Sequence, residues 1–318
     1  MAVEQDNQAG ASQAAQERKQ RSRAVRNRRL RRVVIPYLFL MPFLVLFLVF
    51  LVLPLAYALG ISLFENRLVG GLVFVGADNY LRAIGDPAFL GGVFRMVKFG
   101  VFQVPIMLGL ALLLALVLDG GVVWFRSVFR LGIFVPYAVP SVVATLVWGY
   151  LYGQDFGPIA QLAERLGLQA PNFLSDSLVL GSLANIVTWQ FTGYNMIILY
   201  AALQAVPGEL RDAGAVDGAR GWQVAWYIKI PLILPALFLT AVFSIIGTFQ
   251  LFNEAQILQP QAPGAISESF TPNLYAYSLA FTNQQYEYSA AVSFALGAVV
   301  VVCSYVFMLV TNRREVGD

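Results

Sequence analysis

The chain has 318 residues, 58% of them hydrophobic and 12% charged, with a net charge of +3, whereas an ordinary soluble domain carries roughly 25% charged residues. That balance is the composition of a membrane protein. Its one cysteine, Cys303, lies in an apolar run and there is no histidine, which excludes a disulfide framework and leaves zinc, haem and His-based acid–base chemistry almost nothing to work with.

Residues 1–32 are Gln/Ala-rich and then basic, with Arg18, Lys19, Arg21, Arg23, Arg26, Arg28, Arg29, Arg31 and Arg32. Beside a membrane span such a cluster reads as an inside-facing anchor near anionic lipid rather than a nucleic-acid surface, so nucleic acid is not an expected partner. The apolar run from Val33 to Leu63 is far longer than the core of a signal peptide, ~7 to 15 residues. The cleavage-like triplet Ala56-Tyr57-Ala58 is therefore expected to stay intact and the first helix to remain.

A bilayer is crossed by ~20 apolar helical residues. Six stretches meet that length, at about 35–60, 97–118, 131–152, 178–203, 232–252 and 289–311. The fold class predicted is an all-α membrane protein of six transmembrane helices, occupying 33–312. The stretches 64–96, 153–177 and 253–288 read as short helices and loops at the opposite interface. Alternate crossing puts sixteen of the 21 Lys and Arg on one side, including Arg126, Arg130, Arg211, Arg220, Lys229, Arg313 and Arg314. The positive-inside rule then makes that side cytoplasmic, together with both termini and the end piece 313–318. Pro36, Pro42, Pro54, Pro105, Pro136 and Pro140 fall in or beside spans, where each removes a backbone donor and requires neighbouring helices to supply partners.

One cytoplasmic segment, 206–235, is too long and too patterned for a passive connector. Val206 to Val216 predicts a short helix with Pro207 in its first turn and Glu209 near its positive end. Asp217-Gly218 ends it, glycine being the natural residue for a turn of positive φ. A second short helix is predicted from about Arg220, with Trp222, Ala225 and Trp226 forming one apolar face, and Pro231 and Pro235 mark the next span. Ala213, Gly214, Ala215 and Ala219 give this helix-turn-helix a small-residue surface.

The run from Trp189 to Pro235, "WQFTGYNMIILYAALQAVPGELRDAGAVDGARGWQVAWYIKIPLILP", resembles the signature loop of permease subunits of binding-protein-dependent ABC importers, in particular the carbohydrate-uptake branch of the maltose and glycerol-phosphate permeases. The matching positions are Asp212, Ala213, Gly214, Gly218, Ile228 and Pro231, with Asp212 and Gly214 standing where that family usually has glutamate and alanine. "FVGADNY" at Phe74 to Tyr80 and "GTFQLFNEAQIL" at Gly247 to Leu258 extend the likeness, whereas Gln259 to Gly264 departs from the branch's Thr-x-Gly-Gly-Pro. The resemblance implies a prokaryotic inner-membrane subunit of an ATP-driven sugar importer. Its implied partners are a second permease, an ATPase dimer and an extracytoplasmic solute-binding protein. ATP and Mg would be bound by the ATPase, with no cofactor or metal in this chain. It also implies that Asp212 pairs with the ATPase, Gly218 sets the turn, and Trp222 and Trp226 brace the second helix.

Polar groups in spans are expensive and so are informative. Gln190, Tyr194 and Asn195 in the fourth span, with Ser244, Thr248, Gln250 and Asn253 in the fifth, are the candidates for a hydrophilic path. Trp189, Phe249 and Phe252 offer flat faces for a sugar ring. The chain has no phosphate-binding Gly-x4-Gly-Lys-Ser/Thr loop, so it is not itself the ATPase. Glycerol phosphate or a polyol stays open as the solute; a self-contained secondary carrier or channel would call for buried charges or inverted repeats, neither of which is visible, and a membrane-embedded enzyme would need clustered nucleophiles, carboxylates or histidines near the interface, none of which is found, so the chain is expected to be a non-catalytic subunit.

Overall fold

The computed structural model describes residues 35–67, 69–121 and 123–315. The basic segment 1–32, residues 316–318, and the side chains of Arg211, Ala215 and 312–315 lie outside that description. The chain divides into two units, Met1–Gly60 and Ile61–Asp318.

The described residues of the first unit form helix α1 (Ile35–Ile61), which ends one residue into the second. It contains a π turn at Leu48–Val52, two residues before Pro54. A proline lacks the N–H for the helical ladder and its ring crowds the carbonyl four residues back, so a locally widened turn accommodates it.

The second unit begins with an antiparallel hairpin, β1 (Phe64–Arg67) and β2 (Gly71–Phe74), in which Phe64 faces Phe74. Gly70 and Gly71, at φ +106° and +68°, make the reversal possible. The hairpin corrects the expectation of helices and loops alone at 64–96. The short helix α2 (Asp78–Gly85) follows.

Helix α3 (Pro87–Asp119) is 33 residues long, about 50 Å at 1.5 Å per residue. It begins ten residues before the expected 97–118 span because Asp86 caps it, accepting from the Ala88 N–H at 2.8 Å with Pro87 in the first turn. Lys98 lies well inside the helix, its ammonium 4.4 Å from the Phe94 ring centroid.

The expected span 131–152 is two helices, α4 (Arg126–Ala138) and α5 (Ser141–Tyr152), bent by 93° at Val139-Pro140. Pro140 disfavours the α region for Val139, which is extended at ψ 126°. After α6 (Pro158–Arg165) comes α7 (Val179–Gln204), within one residue of the expected 178–203. The intervening segment then supplies α8 (Gly208–Val216). Next, α9 runs unbroken over 221–249 through the turn Gly221–Val224, a π turn at Ala225–Lys229 and Ile230–Phe249. The π turn again precedes a proline, Pro231, by two residues. The short helices α10 (Asn253–Leu258) and α11 (Pro272–Tyr277) lead to α12 (Tyr286–Glu315).

Among the described residues, four helices are long and apolar enough to cross a membrane: Ile35–Ile61, Pro87–Asp119, Gly221–Gln261 and Tyr286–Thr311. The bent pair α4–α5 makes a fifth if it is one span. Helix α7 has the length but carries Ser182, Asn185, Thr188, Gln190, Thr192 and Asn195. It packs against α3 through Ala111, Ala115, Leu118, Met196, Leu199 and Leu203, all buried. A larger core joins the N-terminal part of α3 to α7, α10, α11 and α12 around Met96, Leu183, Ile186, Leu258, Ile266 and Val292.

Candidate functional site

Two features concentrate the polar chemistry. The first is the helix-turn-helix between α7 and α9. Glu209 lies in the first turn of α8, where a carboxylate favours the helix N-terminus. The helix ends through the Asp217 N–H donating to Ala213 O (3.0 Å) and the Ala219 N–H donating to Gly214 O (2.9 Å). Gly218 sits between them at φ +76°. A bond from the residue after a left-handed glycine back to the third-last helical carbonyl is the Schellman closure. The Gln223 side-chain oxygen then accepts from the Arg220 N–H at 2.7 Å, fastening the start of α9.

Gly214 is buried, and a Cβ there would lie 3.0 Å from Ile228 Cδ1 and 3.4 Å from Val224 Cγ2. Glycine at this position lets the two limbs close on each other. Asp212 and Ala213 are exposed, and Pro231 lies in the first turn of Ile230–Phe249. The second limb is not a separate short helix: α9 enters the next apolar segment without interruption. Nor do Trp222 and Trp226 brace it, being 62% and 64% exposed. The inward face belongs to Val224 and Ile228, an i, i+4 pair that packs toward Gly214.

The second feature is a cavity of about 430 Å³ among α3, α4, α5, α7, α9 and α10. Of the predicted path residues, Tyr194, Asn195, Ser244, Thr248, Gln250 and Asn253 line it together. Asn195 donates to Phe191 O at 3.0 Å, Thr248 to Ser244 O at 3.0 Å, and Asn253 to Ser141 Oγ at 2.9 Å. Tyr194 stacks on Tyr137, with centroids 4.7 Å apart and planes at 20°.

The other four lie elsewhere. Trp189 packs edge-on against Trp148, Phe249 sits in the larger core and Phe252 packs on Tyr277. Gln190 donates to Val139 O at 3.0 Å, holding the carbonyl at the bend, and its own Oε1 is buried without a partner.

Sequence reasoning missed Gln103, Tyr137, Ser141 and Glu254, which complete the polar lining. Gln103 had a readable signal as an amide alone in an apolar run. Glu254 had one as a carboxylate just past a span, and it is 7% exposed. Among the described residues, no Lys or Arg lines the cavity and no cluster of potential metal ligands occurs.

At the other end of α3, the Asp86 carboxylate accepts from Tyr275 OH (2.6 Å) and Tyr288 OH (2.7 Å), with the Arg82 guanidinium 3.9 Å from the Tyr288 ring centroid. Burial acts to raise the Asp86 carboxyl, but the two hydroxyls and the backbone N–H groups of Ala88 and Phe89 hold it below its ordinary value. Burial and the Asp86 charge push the Tyr275 hydroxyl up to about 12, so it remains a donor at physiological pH.

Residues 107–314 match the family described as the binding-protein-dependent transport system inner membrane component. The lactose transport system permease protein of Rhizobium radiobacter is 30% identical over 286 residues, covering 88% of this chain and 94% of the relative. An arabinooligosaccharides transport system permease of Bacillus subtilis is 30% identical over 274 residues (85% and 86%). An sn-glycerol-3-phosphate transport system permease of Brucella abortus is 30% identical over 283 (88% and 96%). In solved structures, a chain of a bacterial ABC transporter that imports the acidic polysaccharide alginate superposes with TM-score 0.77 at 19% identity, covering 90% of this chain and 98% of that one. A second structure, of a bacterial alginate transporter in complex with its alginate pentasaccharide-bound periplasmic protein, gives 0.76 at 19% identity, covering 90% and 96%.

Proposed function

The chain belongs to the family of binding-protein-dependent transport system inner membrane components, and we propose that it is the permease subunit of an ATP-driven importer of a neutral di- or oligosaccharide. In this reading the chain crosses the inner membrane of a prokaryote six times, α7 among the spans, and contributes an alternating-access path, with both termini cytoplasmic. The segment 206–235 docks on an ATPase subunit through Asp212, Ala213, Ala219 and the exposed Trp222 and Trp226. A second permease subunit, an ATPase dimer carrying ATP and Mg, and an extracytoplasmic solute-binding protein complete the machine. The hydrolysis is the ATPase's, and this chain contributes no catalytic group.

The observation that carries the reading is the lining of the cavity. Amides and hydroxyls from Gln103, Ser141, Asn195, Gln250 and Asn253 surround a stacked tyrosine pair. Hydroxyl-rich rings are bound by such donors and acceptors and by flat aromatic faces. A phosphate ester calls for cationic, preferably bidentate, partners. The cavity instead presents Glu254, so sn-glycerol-3-phosphate ranks second despite the Brucella relative.

The test is purification of the tagged chain from its native membrane in mild detergent, mass spectrometry of what accompanies it, and assay of ATP hydrolysis. The solutes offered are lactose, maltotriose and sn-glycerol-3-phosphate, each with the solute-binding protein. An ATPase and a second permease should co-purify, with hydrolysis stimulated by a neutral saccharide. Stimulation by the phosphate ester alone would overturn the solute class, and a chain that comes alone would overturn the importer. Gly218→Val and Asp212→Lys should each abolish uptake while leaving membrane insertion intact, since φ +76° is strained for a β-branched residue. Wild-type uptake in both would sink the role given to the loop.

A further inference from the structure

Asp119 is the last residue of α3, where the negative end of the helix dipole and its unpaired carbonyls oppose a carboxylate. Local energetics do not place an aspartate there, so its partners must. One carboxylate oxygen, Oδ1, accepts from Gln204 Nε2 at 2.7 Å, and the other, Oδ2, pairs with the Lys229 ammonium. The side chains of Lys229 and Asp119 are only 12% and 7% exposed. Gln204 is the last residue of α7, just before the helix-turn-helix begins. Lys229 closes the π turn of α9, within the second limb of the segment. A single carboxylate from a third helix thus joins the end of α7, which leads into the segment, to α9, its second limb, beside a small cavity of about 180 Å³ lined also by Val206, Pro207 and Gly208.

The chain already ties α8 to α7 and α9 covalently, but α3 has no such link. Its contact with α7 there is an apolar seam with buried Ala111 and Ala115. Small-residue seams of this kind permit the sliding of packed helices. A two-pronged contact in which one arm is a largely buried ion pair is directional and resists sliding. Helix α3 also carries Phe99, Gln103 and Met107 into the polar cavity, with Met107 about 18 Å along the helix from Asp119.

We propose that Asp119 is a positioning residue: by clamping Gln204 and Lys229 it makes α3 move as one body with the helix-turn-helix, so that a displacement of the segment is delivered to the cavity wall. The consequence for transport rests on the importer reading above, whereas the clamp itself does not.

The test is a distance measurement. In a Cys303→Ala background, spin labels are placed at Val101→Cys on α3 and Val216→Cys at the end of α8, positions 62% and 87% exposed. Pulsed dipolar spectra are recorded on the intact complex at rest and trapped with ATP, Mg and vanadate. The parent should give one narrow distance, retained on trapping. Asp119→Asn should lose it to a broad distribution, and the charge reversal Asp119→Lys with Lys229→Asp should restore it, since the Gln204 amide can turn its oxygen toward the new lysine. A narrow distance in Asp119→Asn, or a reversal that assembles yet stays broad, overturns the clamp.

If Asp119→Asn strands its lysine and fails to assemble, Asp119→Leu with Lys229→Leu removes both charges. It should assemble and be broad, and a narrow distance there would equally overturn the proposal. A complex that hydrolyses no ATP would sink the importer reading, while the resting distribution would still decide the clamp.

Discussion

Gly193 fixes how closely α4 can approach α7, and replacing it with alanine tests whether that approach builds the cavity. A Cβ at this buried position would lie 2.0 Å from Ile133 O, 2.7 Å from Ile133 C and 2.9 Å from Phe134 Cα. An ordinary carbon–oxygen contact is about 3.3 Å, so the helices must part by roughly 1 Å, because backbone atoms have no rotamer to retreat into. Overpacking of this kind costs ~1–3 kcal/mol, and rigid neighbours put it at the upper end. Alanine returns ~1 kcal/mol of helix propensity, leaving a net loss of ~1–2 kcal/mol. Gly149 supplies the contrast, its Cβ meeting only the side-chain tips of Gln261 and Leu258 at 3.0 Å. There the same propensity gain should bring Gly149→Ala close to neutral. Thermal unfolding of the purified chain, followed by tryptophan fluorescence, should therefore show Gly193→Ala clearly destabilised and Gly149→Ala near the parent. Tyr137 lies one turn beyond Ile133, so the displacement should also lift it from Tyr194 and lower uptake. Gly193→Ala melting with the parent, or shifting no more than Gly149→Ala, would refute the close-packing argument.

Asp86→Asn should keep the helix cap but weaken the bonds from Tyr275 and Tyr288. The folded carboxyl is held below its ordinary value, so the stability it contributes is present above pH ~4 and is lost as pH falls through the depressed value. Melting temperatures taken across pH should show a gap between parent and variant that closes in acid, and a gap independent of pH would remove the carboxylate from the account. Tyr194→Ala should lower apparent solute affinity about fivefold, stacking being worth ~1 kcal/mol, while Tyr194→Phe should leave it near the parent in the same uptake titration. Asn253→Ala and Ser141→Ala, alone and combined, should show a coupling of ~1 kcal/mol in a double-mutant cycle on melting, since the two side chains share one bond across the cavity; strictly additive effects would deny that bond.

What was legible in the sequence was what local chemistry decides. The positive φ of Gly218 follows from glycine at a helix end, and the bounds of α7 follow from its apolar frame. The first ten residues of α3 were hidden because Arg95 breaks the hydropathy there. Its guanidinium is accommodated by a remote partner, donating to Phe270 O at 2.7 Å and covering the Phe270 ring at 4.6 Å. The proline at 140 announced a break, but the 93° angle depends on α7 receiving Val139 O through Gln190. The candidate path divided by face. Val187, Phe191, Tyr194 and Asn195 form one helical stripe into the cavity, which turns Trp189 and Gln190 away. A list of polar and aromatic residues does not say which stripe faces inward until one neighbouring helix is placed.

The polarity that keeps α7 from qualifying as a span on apolarity alone is also what argues for its place inside the bundle. Ser182 donates to Phe173 O (2.7 Å), Asn185 to Tyr152 OH (2.8 Å), Gln190 to Val139 O (3.0 Å), and Gln103 of α3 to Thr188 Oγ1 (3.3 Å). Against lipid, each of these groups unpaired would carry a penalty of ~1–3 kcal/mol or more, and all four partners lie outside α7, on α3, on α5, at the α4–α5 bend and in the segment before α7. Proposed as a span, α7 should therefore insert poorly as an isolated segment and well when α3 to α5 precede it. A glycosylation or reporter-fusion assay comparing the segment alone with the segment in its chain context measures this directly. Equal insertion in both contexts would mean that the polar groups find partners without the bundle, and their pairing would then say nothing about why α7 lies where it does.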